Sequence, residues 1–295
     1  MLVQKYFEVR TELVDKALKK YLKPPKEGPK QLYEAMNYAV FNGGKRLRPL
    51  MMFSAYEMMK GKNNINSLKP LIPCACAVEL VHAASLVHDD LPNMDNSDER
   101  RGMPSVHKKY DDATAILVGD SLMTLAFEVL ADIKKTDISV HCVRTLAKAI
   151  SSRGMIGGQA VDIVSAQKKI RINVLRYIHA KKTGALLQAT VDMACKMFGA
   201  DENLTATMGN YALNLGLAYQ IIDDILDYFG AYEVLGKEPF EDQKNNKATY
   251  PTLIGFEKAK KEAENLLSVS RKLIKNMKNN EVMLEFVNMI QDRLP

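Results

Sequence analysis

Across residues 73–88, 112–132, 139–161, 172–197 and 203–229, apolar side chains rich in Ala, Leu and Met recur at mixed spacings of three and four. That is the period of a helix burying one face or more. Alternating runs bounded by turn residues, the mark of a half-buried strand, are almost absent. The breaks fall at KPPKEGPK (23–30), KGKNNINS (60–67), Pro92, KKTD (134–137) and residues 230–248. None is long enough to be a domain linker, and no internal period or low-complexity tract occurs. The 295 residues suffice for a substantial core. The expectation is one all-α domain spanning 1–295, with several helices apolar on most faces and hence central. Tyr6, Val9, Leu13, Ala17 and Tyr21 share helical spacing and predict an amphipathic first helix.

Composition narrows the function classes. The N-terminus is charged throughout, unlike a signal peptide. No stretch approaches the roughly 20 uninterrupted apolar residues of a membrane span. Cys74, Cys76, Cys142 and Cys195 are expected as reduced thiols in a cytoplasmic protein. A zinc site from Cys74, Cys76, His82 and His88 fits no usual ligand spacing. The net charge is +6, aromatics make up 7% and tryptophan is absent. Without interleaved aromatics, the basic groups Lys45/Arg46/Arg48, Arg100/Arg101 and Lys181/Lys182 suit a small polyanion better than nucleic acid.

The segment HDDLPNMDNSDERRG (88–102) follows directly on an apolar helix. Asp89 and Asp90 therefore sit at a helix C-terminus, where each carboxylate opposes the dipole at a cost of about 0.3–1 kcal/mol. A bound cation would offset that. Pro92 disfavours helix at Leu91, so the chain should bend and return Asp95 toward the same ion. A solvated acidic loop is the competing reading. A calcium loop fits poorly, because Leu91 takes the third position and the glycine at the sixth is missing. Arg100 and Arg101 discriminate: carboxylates hold Mg²⁺, Mg²⁺ holds phosphate oxygens, and arginine forks hold the rest.

A second cluster, QIIDDILD (220–227), lies inside an apolar helix. Asp223 and Asp227 are one turn apart, with Asp224 to the side. Partly buried carboxylates without basic neighbours are expensive, and none stands between Leu217 and Phe229. Metal ligation explains them best. The two clusters are expected on opposed walls of one cavity, holding a diphosphate through several Mg²⁺ ions.

These motifs, in this order, resemble the trans-isoprenyl diphosphate synthases, in particular bacterial short-chain farnesyl and geranylgeranyl diphosphate synthases. The resemblance runs through GGKRLRP (43–49), Asp89 to Asp95, GMIGGQAVD (154–162), KTG (182–184), Gln220 to Asp227, then Lys237, Asp242 and KATYP (247–251). It implies an antiparallel helical bundle around a central cavity, usually a homodimer. The activity implied joins isopentenyl diphosphate to an allylic diphosphate through an allylic carbocation. Asp89, Asp90, Asp95, Asp223, Asp224 and Asp227 would bind Mg²⁺, three ions per site with diphosphate bound. Lys45, Arg48, His82 and Arg101 would hold isopentenyl diphosphate. Arg100, Lys182, Lys237 and Lys247 would hold the allylic diphosphate, with Thr183 and Gln220 lining the carbocation.

Two departures stand out. Phe240 replaces a glycine usual in relatives, and the C-terminal QDRLP lacks the basic tail that some of them fold over the isopentenyl site. Ala84, five residues before Asp89, and Ser85 are expected at the floor of the prenyl channel. Bacterial farnesyl synthases often carry an aromatic at the position of Ala84, so alanine favours C20 over C15 product. Met123 or Phe127 filling the gap is the alternative. The rival functions are a class I terpene cyclase, which needs no GGKRLRP segment, and a non-catalytic partner subunit, which should have eroded aspartates.

Overall fold

The computed structural model describes residues 2–166, 168–233 and 248–295. Lys237, Phe240, Asp242 and Lys247 lie outside the described residues. The chain forms two compact units, Met1–Phe53 with Asn64–Val143, and Ser54–Asn63 with Arg144–Pro295.

The first unit contains α1 (Leu2–Tyr21), α2 (Lys30–Phe41), the start of α3 (Leu47–Lys60), α4 (Ile72–Asp89), the strands β1 (Glu99–Arg100) and β2 (Met103–Pro104), α5 (Val106–Lys109), α6 (Asp112–Ala131) and the start of α7 (Thr136–Ile150). Its core is α4 packed on α6. Ala75, Cys76, Ala77, Ala84, Ala115 and Ala126 are all fully buried, and small side chains like these suit close packing of helices. Gly119 of α6 lies under the His88 ring, so a Cβ there would stand 2.0 Å from Nε2. Asp111 caps α6 by accepting from the Thr114 N–H at 2.6 Å.

The first helix is where the sequence places it, but its buried face is rotated. Tyr6, Arg10, Val14 and Leu18 are buried, whereas Val9 is exposed. Arg10 can go inside because its guanidinium lies 3.5 Å over the Tyr6 ring and donates to the Tyr6 carbonyl. That pairing satisfies the charge and covers the ring at once.

The second unit contains α8 (Met155–Ser165), α9 (Ile172–His179), a π turn (Ala180–Gly184), α10 (Ala185–Phe198), α11 (Glu202–Glu233), α12 (Tyr250–Ile254), α13 (Phe256–Ile274) and α14 (Glu281–Gln291). The 32-residue α11, about 48 Å long, packs along α10 and α13. The expected single helix over 139–161 is broken before Gly154. Its φ of −127° and ψ of −129° are not helical, and a Cβ there would meet the Ala149 carbonyl oxygen at 1.9 Å. The helix expected over 172–197 is continuous but widens into the π turn at Lys181–Lys182–Thr183, a distortion common at functional sites.

Two stretches, Ile65–Asp89 and Asp112–Ala131, are long and apolar enough to cross a membrane by composition, though charged residues interrupt both. Their apolar windows are 67% and 39% buried within the protein. Packing of α4 on α6 accounts for the apolar character of the first. All four cysteines are buried free thiols.

Candidate active site

In the first unit, the site begins with two glycines. Gly43 and Gly44 have φ of +114° and +110°, a region that side chains with a Cβ rarely enter. The Arg101 guanidinium lies against Gly44, where a Cβ would stand 2.6 Å from Nη1, and it donates to the Gly43 carbonyl at 2.5 Å. Arg101 and Gly102 form the two-residue turn of the β1–β2 hairpin, with φ of 58° and 73°. Two successive left-handed residues are what a type I′ turn requires, and a non-glycine there carries strain of the kind found at binding sites.

The KRLR run splits by role. Lys45 is exposed and Arg48 half-buried. Arg46 turns inward, only 4% exposed. It donates to Asp15 at 2.8 Å, Glu79 at 2.9 Å and the Val40 carbonyl at 2.8 Å. His82 sits in the field of this arginine set. Burial pushes its pKa well below the usual value, and Arg48, Arg101, Arg46 and Arg100 push the same way. His82 is therefore biased toward its uncharged form, among cations that suit an anion.

The bend at Pro92 is present. The Asp95 N–H donates to the Asp89 carbonyl at 2.9 Å, and Ser97 N–H to the Asp90 carbonyl at 3.2 Å, so the loop folds back on the end of α4. Asp90, expected as a metal ligand, is buried and engaged by Arg100, whose Nε lies 3.2 Å from both carboxylate oxygens and whose Nη2 also donates. Burial explains the pairing, since a carboxylate removed from water needs a partner. Ala84 is fully buried. Ser85, one turn before Asp89, is half-buried and donates to the His82 carbonyl at 2.9 Å.

In the second unit, Thr183 Oγ1 donates to Gln220 Oε1 at 2.6 Å, so the two residues expected beside the carbocation meet. Lys182 Nζ donates to Asp162 Oδ2 at 3.0 Å. Gly158 permits this approach of α8, because a Cβ there would stand 2.5 Å from the Lys182 nitrogen. Asp223 is held by Arg293 at 2.5 Å. Burial raises the Asp223 pKa, and the Arg293 charge opposes the rise. Asp224, also expected as a ligand, is buried and accepts from the Tyr250 N–H at 2.9 Å, at the start of α12. Asp227 is exposed.

His179 lies 3.7 Å from Asp224 and stacks on Tyr250. Its pKa is pushed down to about 4, chiefly by burial, with Asp162 opposing and Lys182 assisting. The unfolded chain therefore takes up a proton near pH 6.5 that the folded chain refuses, and stability falls as pH drops from about 6.5 to about 4. Urea unfolding at about pH 7.5 and about pH 5 should show His179→Phe losing about 2 kcal/mol less than the wild type over that interval. Equal losses would mean that His179 is not the titrating group.

Among the described residues no three His, Cys, Asp or Glu side chains converge into a ready-made metal cage. The residues missed by the sequence reading are Glu79 and Asp15 around Arg46, Asp162, and Arg293. Asp162 lay in the GQAVD motif without a role, whereas Arg293 lay in the tail noted only for lacking the basic run of some relatives.

All-helical units carrying carboxylate clusters next to guanidinium and lysine groups define an enzyme class that handles anionic diphosphates. The chain belongs to the polyprenyl synthetase family, which it matches over residues 29–290, and it is a short-chain prenyltransferase. It is 39% identical over 289 residues to a farnesyl diphosphate synthase of Geobacillus stearothermophilus, covering 97% of this chain and 95% of that one. It is 38% identical to a geranylgeranyl diphosphate synthase of Cyanophora paradoxa, covering 95% and 92%. A solved FPP/GFPP synthase from Zymomonas mobilis superposes with a TM-score of 0.86 at 30% identity, over 98% of both chains.

Proposed function

We propose that this chain condenses isopentenyl diphosphate with dimethylallyl, geranyl and farnesyl diphosphates to give an all-trans product of C15–C20. The observation that carries the reading is the arginine set around His82. With Arg46 taken by Glu79 and Arg100 by Asp90, Arg48 and Arg101 beside His82 support a second diphosphate site, which a cyclase does not need. Lys45, Arg48, His82 and Arg101 hold isopentenyl diphosphate there. Intact aspartates in both motifs speak against a non-catalytic subunit. The family match runs through both compact units, which supports one functional domain over 1–295.

Asp89, Asp90, Asp95, Asp223, Asp224 and Asp227 are the carboxylates that would hold Mg²⁺. When bound, the metal supplies positive charge against the departing diphosphate. Asp90 aims Arg100 at the allylic diphosphate, and Asp162 aims Lys182. Lys237 and Lys247 are assigned to the same diphosphate by their motif positions. Thr183 and Gln220, fixed by their mutual hydrogen bond, turn oxygen dipoles toward the developing cation. Asp224 supports the site by holding the N-terminal end of α12. The described residues supply no obvious base, and the proton lost on condensation goes to the released diphosphate.

Geranylgeranyl diphosphate is the principal product in this reading, because Ala84 and Ser85 leave room at the channel floor. Incubation with isopentenyl diphosphate, Mg²⁺ and each primer, followed by mass analysis, tests both reaction and chain length. Ala84→Phe should shorten the product by one C5 unit or more, and an unchanged length would put the floor elsewhere. Product with excess chelator present would remove the metal from the scheme. The chain is taken as a cytoplasmic homodimer, a reading favoured by its buried thiols and by the exposed Ile116 and Leu117 of α6. Sedimentation at micromolar concentration should give the mass of two chains.

A further inference from the structure

We propose that Arg293 is the resident counter-ion of the second acidic cluster, delivered by a docked C-terminal segment, and that a divalent cation binds Asp223 by displacing it. The inference rests on the reading of Asp223 as a metal ligand. The docking is built at several points. Arg271 of α13 donates to Asn288 Oδ1 at 2.7 Å and to Gln291 Oε1 at 2.6 Å, both on α14. Lys260 of α13 donates to the Pro295 carbonyl oxygen at 2.7 Å. Between these clamps, Arg293 reaches α11. Its Nη2 meets Asp223 Oδ1 at 2.5 Å, and its guanidinium carbon lies 4.6 Å over the Tyr219 ring. Tyr219 and Asp223 are one helical turn apart, so a single guanidinium spans both.

This placement satisfies the carboxylate better than the arginine. Among the described residues Arg293 Nη1 is buried without a hydrogen-bond partner, whereas on release it would be hydrated. The Arg293 side chain is 35% exposed and that of Asp223 28%, so neither charge is locked in the core. A guanidinium on Oδ1 and a divalent cation on either oxygen of the same carboxylate stand close enough to repel strongly. Binding of one therefore works against the other, and the C-terminal segment sets the occupancy of the metal position.

Mn²⁺ serves as a paramagnetic probe, titrated in the presence of inorganic pyrophosphate into the full chain and its variants. Arg293→Gln should bind Mn²⁺ about three- to tenfold more tightly than the wild type. Asp223→Asn should bind it more weakly, and Arg293→Gln should change nothing further in that background. In the wild-type chain, Mn²⁺ with pyrophosphate should speed hydrogen exchange of the amides at 292–294. If Asp223→Asn weakens Mn²⁺ binding while Arg293→Gln leaves it equal or weaker, the counter-ion role is overturned and the metal reading stands. Mn²⁺ binding untouched by Asp223→Asn overturns both.

Discussion

Asp89→Ala and Asp223→Ala should each lower kcat by a factor on the order of 10²–10³ or more. Each change removes a carboxylate proposed to hold the metal that balances charge as the C–O bond breaks. The loss should fall on turnover and not on folding, and the structure distinguishes the two. Asp89 ends α4, where its charge opposes the helix dipole but attracts Arg100, so the two effects offset and alanine there should change stability little. Asp223 is balanced by Arg293 at the edge of water, and its loss should cost little more than a partly exposed ion pair. Steady-state rates with labelled isopentenyl diphosphate, read beside thermal melts of the same preparations, make the test. Near-normal turnover in both variants would end the assignment of these aspartates to metal.

Glu79→Ala should have the largest effect on stability, a loss of about 3–5 kcal/mol, which lowers the melting temperature by roughly 10 °C. Glu79 and Arg46 form a buried pair at 2.9 Å, with side chains 3% and 4% exposed. Burial alone would weaken the charged form of Arg46, and Glu79 and Asp15 together more than restore it. Without Glu79, the guanidinium keeps Asp15, itself 32% exposed, the backbone carbonyls, and the face of the Phe41 ring at 5.7 Å. Replacing both partners with apolar residues, Arg46→Met with Glu79→Leu, should cost less than Glu79→Ala, because no charge is then stranded. The single change should also raise the KM for isopentenyl diphosphate, since Arg46 anchors the junction between the loop that carries Lys45 and the start of α3, which carries Arg48. A melting temperature within a degree or two of wild type in Glu79→Ala would show that the pair contributes little.

Much of the site could be read along the chain because its determinants are local. Helical period reports which segments can bury a face. Pro92 restricts its neighbour, and the loop does fold back so that Asp95 meets the Asp89 carbonyl. The glycine pair 43–44 marks backbone that needs positive φ. The hydrogen bond between Thr183 and Gln220 joins residues that motif order had already assigned to one task. By contrast, the break falls at Ser151-Ser152-Arg153-Gly154, a polar cluster that the helical reading of 139–161 passed over.

The amino-acid order by itself determined the all-α class, the placement of two acidic motifs on apolar helices, and membership of the diphosphate-handling family. Only the tertiary structure decided which charge serves which partner. It turned Arg46 inward to Glu79, 33 residues away, engaged Asp90 with Arg100, set Asp224 on the Tyr250 N–H, and brought Arg293 to Asp223 across 70 residues. Periodicity and turn chemistry act over a few residues. The pairing of a buried charge depends on which distant groups share its low-dielectric surroundings, and only the packed chain brings those together.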